Sequence, residues 1–78
     1  MEHLRRAATL DAANKFAWNN LGVALRRRWE AGTGGRELVE EAVAAFAKVA
    51  GLDAGYKPGN LADARALLET LEPPPSAT

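Results

Sequence analysis

Cysteine is absent from the sequence, and histidine occurs once, at His3. Without cysteine there is no disulfide framework, no thiolate nucleophile and no thiolate-ligated zinc. His3 has no second histidine with which to share a metal ion, so we predict neither a metal site nor a cofactor. A chain without disulfides fits a reducing compartment, and we expect it to be cytoplasmic.

The chain also lacks a net charge and a long apolar run. Its 10 Lys and Arg residues balance its 10 Asp and Glu residues, so it has no overall attraction to nucleic acid or to anionic lipid. No stretch reaches the roughly 18 apolar residues of a membrane span, and none of signal-peptide length follows the N-terminal residues. We therefore expect a soluble protein with no membrane partner.

Catalytic signatures are missing as well. The glycine-rich segment 32–35 is followed by no Lys-Ser or Lys-Thr pair and preceded by no strand, which argues against a phosphate-binding loop. Glu40 and Glu41 have no neighbouring nucleophile in the sequence that would support acid–base chemistry. We predict that the protein is not an enzyme and has no catalytic residue.

The composition that is present is helical. Hydrophobic residues make up 47% of the chain and charged residues 26%, as is typical of a globular protein. Apolar residues recur at spacings of three and four, so we predict an all-α fold of about four antiparallel helices in one domain, residues 1–72. The predicted helices are residues 2–10, 15–30, 36–50 and 60–72, followed by a disordered, proline-rich tail at residues 73–78.

Turn-forming residues set these boundaries. Asp11 and Asn14 favour a turn and a helix N-cap. The three glycines of segment 32–35 form the strongest break in the chain. Gly51 is predicted to stop the third helix, and Asn60 is predicted to cap the fourth.

The chain contains an internal repeat at an offset of 42 positions. Aligning segment 4–15 with segment 46–57 matches Ala8 with Ala50, Leu10 with Leu52, Asp11 with Asp53, Ala12 with Ala54 and Lys15 with Lys57. With a slip of one residue, the fourth helix then aligns with the second as a degenerate copy. The chain therefore reads as the second helix of one repeat, a complete two-helix repeat, and the first helix of another.

Large and small residues alternate where two packed helices require it, at Trp18, Leu21, Gly22 and Leu25 and then at Ala42 and Phe46. This order, Trp-x-x-Leu-Gly-x-x-Leu followed by Ala-x-x-x-Phe, resembles the tetratricopeptide repeat, whose period is about 34 residues. The offset here is longer, and segments 19–34 and 38–43 are similar to the long tetratricopeptide arrays of large actinobacterial signalling proteins. Ala12 and Ala54 replace the proline that usually closes the repeat. The resemblance implies α-α hairpins stacked in a superhelix and a function in binding a protein or peptide partner.

The resemblance also implies where a partner would bind. In this family the first helix of a repeat lines a groove, and the matching residues here are Phe16, Asn19, Asn20, Val23, Arg26 and Arg27. Asn19 and Asn20 would hydrogen-bond a partner segment, while Arg26 or Arg27 would meet carboxylates. The sequence leaves open the alternative that these are exposed polar positions with no ligand.

Repeats of this kind need about three stacked units to bury a continuous core. The first helix presents Leu4, Ala7 and Leu10 with no preceding helix to cover them, so we predict a self-association face there. We expect a homo-oligomer, most simply a symmetric dimer through the first and perhaps the fourth helix, or a place in a longer repeat array.

A second function stays open, that of a small helical nucleic-acid-binding regulator. Its phosphate-binding residues would be the arginines of the two basic clusters: Arg5, Arg6, Arg26, Arg27 and Arg28. Three consecutive helical residues spread over about 200° and do not form one stripe. Together with the zero net charge, this leads us to expect a protein partner rather than nucleic acid.

Overall fold

The computed structural model describes residues 2–71. They form four α-helices: α1 (Glu2–Leu10), α2 (Lys15–Glu30), α3 (Arg36–Leu52) and α4 (Pro58–Leu71). The predicted all-α fold is confirmed, and so are the predicted bounds of the first two helices. None of these four helices combines the length and apolarity that a membrane span requires. Residue 72 and the predicted tail at 73–78 lie outside the described residues.

Local sequence explains how α2 begins and ends. The side-chain carbonyl of Asn14 accepts hydrogen bonds from the backbone N–H groups of Phe16 and Ala17, at 2.9 and 3.3 Å. These bonds satisfy donors that the first turn of a helix leaves free. Beyond the end of α2, Gly32 has a φ of 78°, which glycine adopts without strain. The predicted turns on either side of α2 are therefore confirmed.

Two predicted boundaries are wrong. α3 does not stop at Gly51 but continues to Leu52, because the last helical turn tolerates a glycine and Asp53 is the first residue with an extended backbone. α4 begins at Pro58 rather than Asn60, because proline at the first helical position has a preset φ and needs no N–H partner. Lys57, with a φ of 47°, turns the chain into α4.

Contacts between helices fix their directions. Lys15 at the start of α2 pairs with Asp53 just after α3, so α2 and α3 are antiparallel. Asn19 and Asn60, near the N-termini of α2 and α4, are hydrogen-bonded to each other, so those two helices run in the same direction. α3 therefore forms an antiparallel hairpin with each of them.

All four helices contribute to one buried core. Its buried members are Ala8, Leu21, Leu25, Leu38, Ala42, Ala45, Phe46 and Ala64. Gly22 lies directly against the ring of Phe46, so the alternation of large and small residues in the sequence is the packing seam between α2 and α3. Trp18 packs partly buried against this core, and its indole N–H donates to the carbonyl of Ala12 at 2.9 Å.

Candidate partner-binding groove

The outward face of α2 is the floor of a groove of about 670 Å³. Its lining residues are Leu4, Asn19, Asn20, Val23, Ala24, Arg27, Arg28 and Lys57. The six that belong to α2 form two rows with a spacing of four residues, which places them on one side of the helix. Leu21 and Leu25 occupy the opposite side and are buried in the core. The groove therefore follows the axis of α2.

A smaller cavity of about 230 Å³ adjoins this groove and shares Val23 and Arg27 with it. Its other lining residues are Arg26, Glu30, Phe46 and Asn60. The structure thus brings five of the six predicted groove residues into two neighbouring concavities. The sequence did not identify Lys57 or Asn60 as part of them.

Phe16 is the predicted groove residue that lines neither concavity. Its side chain is 55% exposed, and its ring packs edge-on against Tyr56 with ring centroids 5.4 Å apart. The Lys15 ammonium lies 5.4 Å from the Phe16 centroid and 4.9 Å from the Tyr56 centroid, within the range of cation–π attraction. Phe16 therefore connects the start of α2 to the linker before α4.

Asn19 is buried, with only 6% of its surface exposed. Its side-chain carbonyl accepts a hydrogen bond from the amide of Asn60 at 2.9 Å. A buried amide needs such a partner, so this bond holds α4 against α2. Asn20, the next residue, is exposed in the groove and has its side chain available.

Arg26 is directed toward carboxylates of the protein itself. Its Nε lies 3.6 Å from Oε2 of Glu30, and its Nη1 lies 3.9 Å from Oδ2 of Asp63 on α4. Both distances are too long for direct hydrogen bonds, and the buried Nε has no acceptor among residues 2–71. The charge of Arg26 is therefore partly balanced within the chain.

The groove is locally positive although the chain is neutral. Arg27, Arg28 and Lys57 line it, and no Asp or Glu does. Within residues 2–71, none of these three cations forms an ion pair. Opposite charges that would cancel their field are thus missing from the groove walls.

The arginines that could have bound nucleic acid do not form one free surface. Arg5 donates two hydrogen bonds to Glu41, one of them from Nη2 at 2.6 Å, and Arg26 faces Glu30 and Asp63. Of that predicted set, Arg6, Arg27 and Arg28 have no ion pair within the described chain. Arg6 lies on α1, where it lines a different surface depression with Leu10.

Two ion pairs outside the groove perturb carboxylates. The side-chain hydrogen bond from Arg5 lowers the pKa of Glu41, against a partial desolvation that raises it. Asp53 has its pKa lowered chiefly by the hydrogen bond from Lys15 and then by the backbone N–H of Gly55. In both cases the shift favours the ionised carboxylate, as expected of a group in an ion pair.

The predicted self-association face is divided by the structure. Leu4 is partly buried and packs against the core, where the fully buried Ala8 is its neighbour one turn later. Ala7 is exposed, and 79% of Leu10 is exposed. Leu4 and Ala8 are four positions apart, so they face the core together. Ala7 and Leu10 are three positions apart and lie on the side of α1 that faces outward. Only Ala7 and Leu10 are therefore fully open on this face.

Within the described range, 2–71, acidic side chains and His3 form no grouping of three that could hold a metal ion. The groove is thus defined by amide, guanidinium, ammonium and aliphatic groups. No protein-family model, curated protein or solved structure matches the chain.

Proposed function

We propose that the protein is a non-catalytic interaction module that binds an acidic segment of a partner protein in the α2 groove. In this proposal α2 and α3 are one tetratricopeptide-like repeat of a superhelix, and α1 and α4 are halves of adjoining repeats. The observation that supports it is a groove with three unpaired cations and no carboxylate in a chain whose charges balance.

The spacing of groups in the groove defines what the segment should look like. Asn20 offers an amide donor and acceptor that can hydrogen-bond an extended backbone. Arg27 follows it by seven positions, or about 10 Å along the helix, which about three extended residues span. Its guanidinium can hold a carboxylate through two parallel hydrogen bonds. Val23 and Ala24 form an apolar floor between these two groups.

The proposal assigns no catalysis, cofactor or metal to the chain, and it locates the chain in the cytoplasm. A cytoplasmic location is supported by the absence of cysteine, which removes any need for an oxidising compartment. The energy of recognition would come from charge-assisted hydrogen bonds in the groove, and it should weaken as salt screens the cations.

A labelled peptide of roughly eight residues tests this directly, with Asp and Glu alternating with Ala and Leu. Its matched twin carries Asn and Gln at the acidic positions. We expect the acidic peptide to bind and the double substitution N20A/R27A to weaken binding about tenfold. R65A is the control, because Arg65 is exposed on α4 and lines neither concavity. Equal binding of the two peptides, or full affinity of N20A/R27A, would refute the groove assignment.

A DNA duplex in the same assay examines the other function. The nucleic-acid-binding function would replace the protein-partner proposal if the duplex bound more tightly than the acidic peptide. That binding should also fall steeply with salt and be weakened by R6A and R28A. We expect no such binding, because the opposing carboxylates near Arg5 and Arg26 repel phosphates.

A further inference from the structure

A single ion pair closes the α2–α3 hairpin at one end. Lys15, the first residue of α2, donates to the carboxylate of Asp53, the residue after α3. The side chains of both residues are partly shielded, at 29% and 41% exposed. This bridge links the beginning of one helix to the end of its antiparallel neighbour.

The chain holds a second copy of each half of this bridge. The internal repeat matches Lys15 with Lys57 and Asp53 with Asp11. Lys57 immediately precedes α4, and Asp11 immediately follows α1. Both are exposed, and neither forms an ion pair within residues 2–71. Asp11 accepts one side-chain hydrogen bond, from Asn14 at 3.3 Å.

The face of α1 that corresponds to the packed face of α3 is open. The repeat matches Val49 of α3, which is 3% exposed, with Ala7 of α1, which is exposed. One position before the aligned segments, the buried Ala45 corresponds at the same offset to the exposed His3. In α3 this face is buried, and among the described helices none covers it in α1.

The matching face of α4 is also incompletely covered. Leu25 of α2 is fully buried, while its counterpart Leu68 in α4 is only partly buried. Trp18 and its counterpart Leu61 are both partly buried. One end of the chain thus presents a face suited to a helix like α2, and the other end presents a face suited to a helix like α3.

We propose that α1 of a second copy packs on α4 as α3 packs on α2, with Asp11 of that second copy bonded to Lys57. The two faces differ, so the contact is head to tail and continues as a ring or a filament. This arrangement differs from the symmetric dimer expected from the sequence, because a pairing of α1 with α1 leaves Lys57 without a carboxylate. Lys57 also lines the groove, but the proposed peptide contacts there are Asn20 and Arg27, so N20A/R27A tests peptide binding without removing either half of the bridge.

Charge reversal combined with sedimentation tests the proposed contact. We expect the unaltered chain to self-associate, and K57E or D11K to raise the association Kd about tenfold at low salt. The double variant K57E/D11K should return to within about twofold of the original, because the reversed charges still face each other between copies. K48E is the matched control, since Lys48 is exposed on α3, a helix that takes no part in the proposed contact. A monomer at all concentrations, or a double variant that does not recover, overturns the proposal.

Cross-linking distinguishes head-to-tail from symmetric contact. The sequence has no cysteine, so D11C and K57C introduce the only thiols. With a short bismaleimide, we expect a covalent pair from an equimolar mixture, containing one chain of each type by mass. D11C cross-linked to itself would show a symmetric α1 contact and overturn the proposal. Far-UV circular dichroism confirms that these exposed substitutions leave the helices intact.

Discussion

Replacing Gly22 with alanine should destabilise the protein, although alanine is the better helix former. Gly22 lies in the middle of α2 and faces α3. A Cβ atom built there would lie 2.5, 2.7 and 2.8 Å from the Cε1, Cζ and Cδ1 atoms of Phe46. Carbon atoms in contact prefer about 3.5–4.0 Å, so the ring would have to move by about 1 Å.

The size of the effect follows from two opposing contributions. Alanine lowers the free energy of an interior helix position by about 1 kcal/mol relative to glycine. Overpacking a filled core costs about 1–3 kcal/mol, and Phe46 is only 3% exposed, although it lines the smaller cavity beside the groove. We therefore expect a net loss of up to about 2 kcal/mol in the free energy of unfolding. In a domain of this size, each kcal/mol lowers Tm by about 4–8 °C.

Urea and thermal unfolding followed by circular dichroism measure this loss, and Gly51 supplies the matched control. Gly51 is also helical, but a Cβ atom there would have no neighbour within 4 Å. Gly51→Ala should therefore stabilise the protein by about 0.5–1 kcal/mol through the unfolded chain and the helix propensity. Glycine-to-alanine substitution is therefore expected to lower the free energy of unfolding at position 22 and to raise it at position 51.

A second background isolates the contact with Phe46. In Phe46→Leu the smaller side chain frees space next to Gly22, so adding Gly22→Ala should become neutral or stabilising. If Gly22→Ala costs the same free energy with leucine at position 46, the clash with the ring is not the cause. An increase in stability for Gly22→Ala in the original sequence would also refute the reasoning.

Two further predictions concern contacts between distant parts of the chain. Asn60→Ala removes the donor to the buried carbonyl of Asn19 and should lower the free energy of unfolding in urea by about 1–3 kcal/mol. Asn20→Ala, at an exposed position, should change it very little. Equal effects of the two substitutions would exclude a structural role for the bond between Asn19 and Asn60. Glu41 has its pKa lowered by Arg5, so its ionised form stabilises the fold above the unfolded-state pKa, and this contribution is lost as the pH falls through the folded-state pKa. Below about pH 4.5, the free energy of unfolding should therefore decrease less with falling pH in Glu41→Gln than in the original protein. Urea unfolding at several pH values measures this, and parallel curves for the variant and the original protein would contradict it.

Local patterns were sufficient to predict the helices and their main seam. The spacing of apolar residues and the cap at Asn14 are properties of short segments, so α1 and α2 were predicted with correct bounds. The contact between Gly22 and Phe46 was also foreseeable, because a glycine among good helix formers indicates close approach of another helix. Predictions at this level need no knowledge of how distant segments meet.

The candidate groove was only partly predictable, because its shape depends on the position of α4. Asn19 was expected to face a partner, but it bonds Asn60 instead. Arg26 or Arg27 was expected to meet carboxylates of a partner, and of the two Arg26 faces Asp63 of the chain itself. The linker that places α4 turns at Lys57 with a positive φ, and lysine does not signal that conformation in a sequence. Only the assembled structure shows which side of α2 is covered.

Residues along α2 therefore divide by angle into three sets with different tasks. Successive helical residues are rotated by about 100°, so neighbours in sequence point to different surroundings. Leu25 packs inward, Arg26 faces α4 and Arg27 lies in the groove. Asn20 and Arg27 hold no other part of the fold, so changing them should alter affinity without altering stability. Asn19 and Arg26 position α4 and with it Lys57, so substitutions there should change the width of the groove and act on stability and binding together.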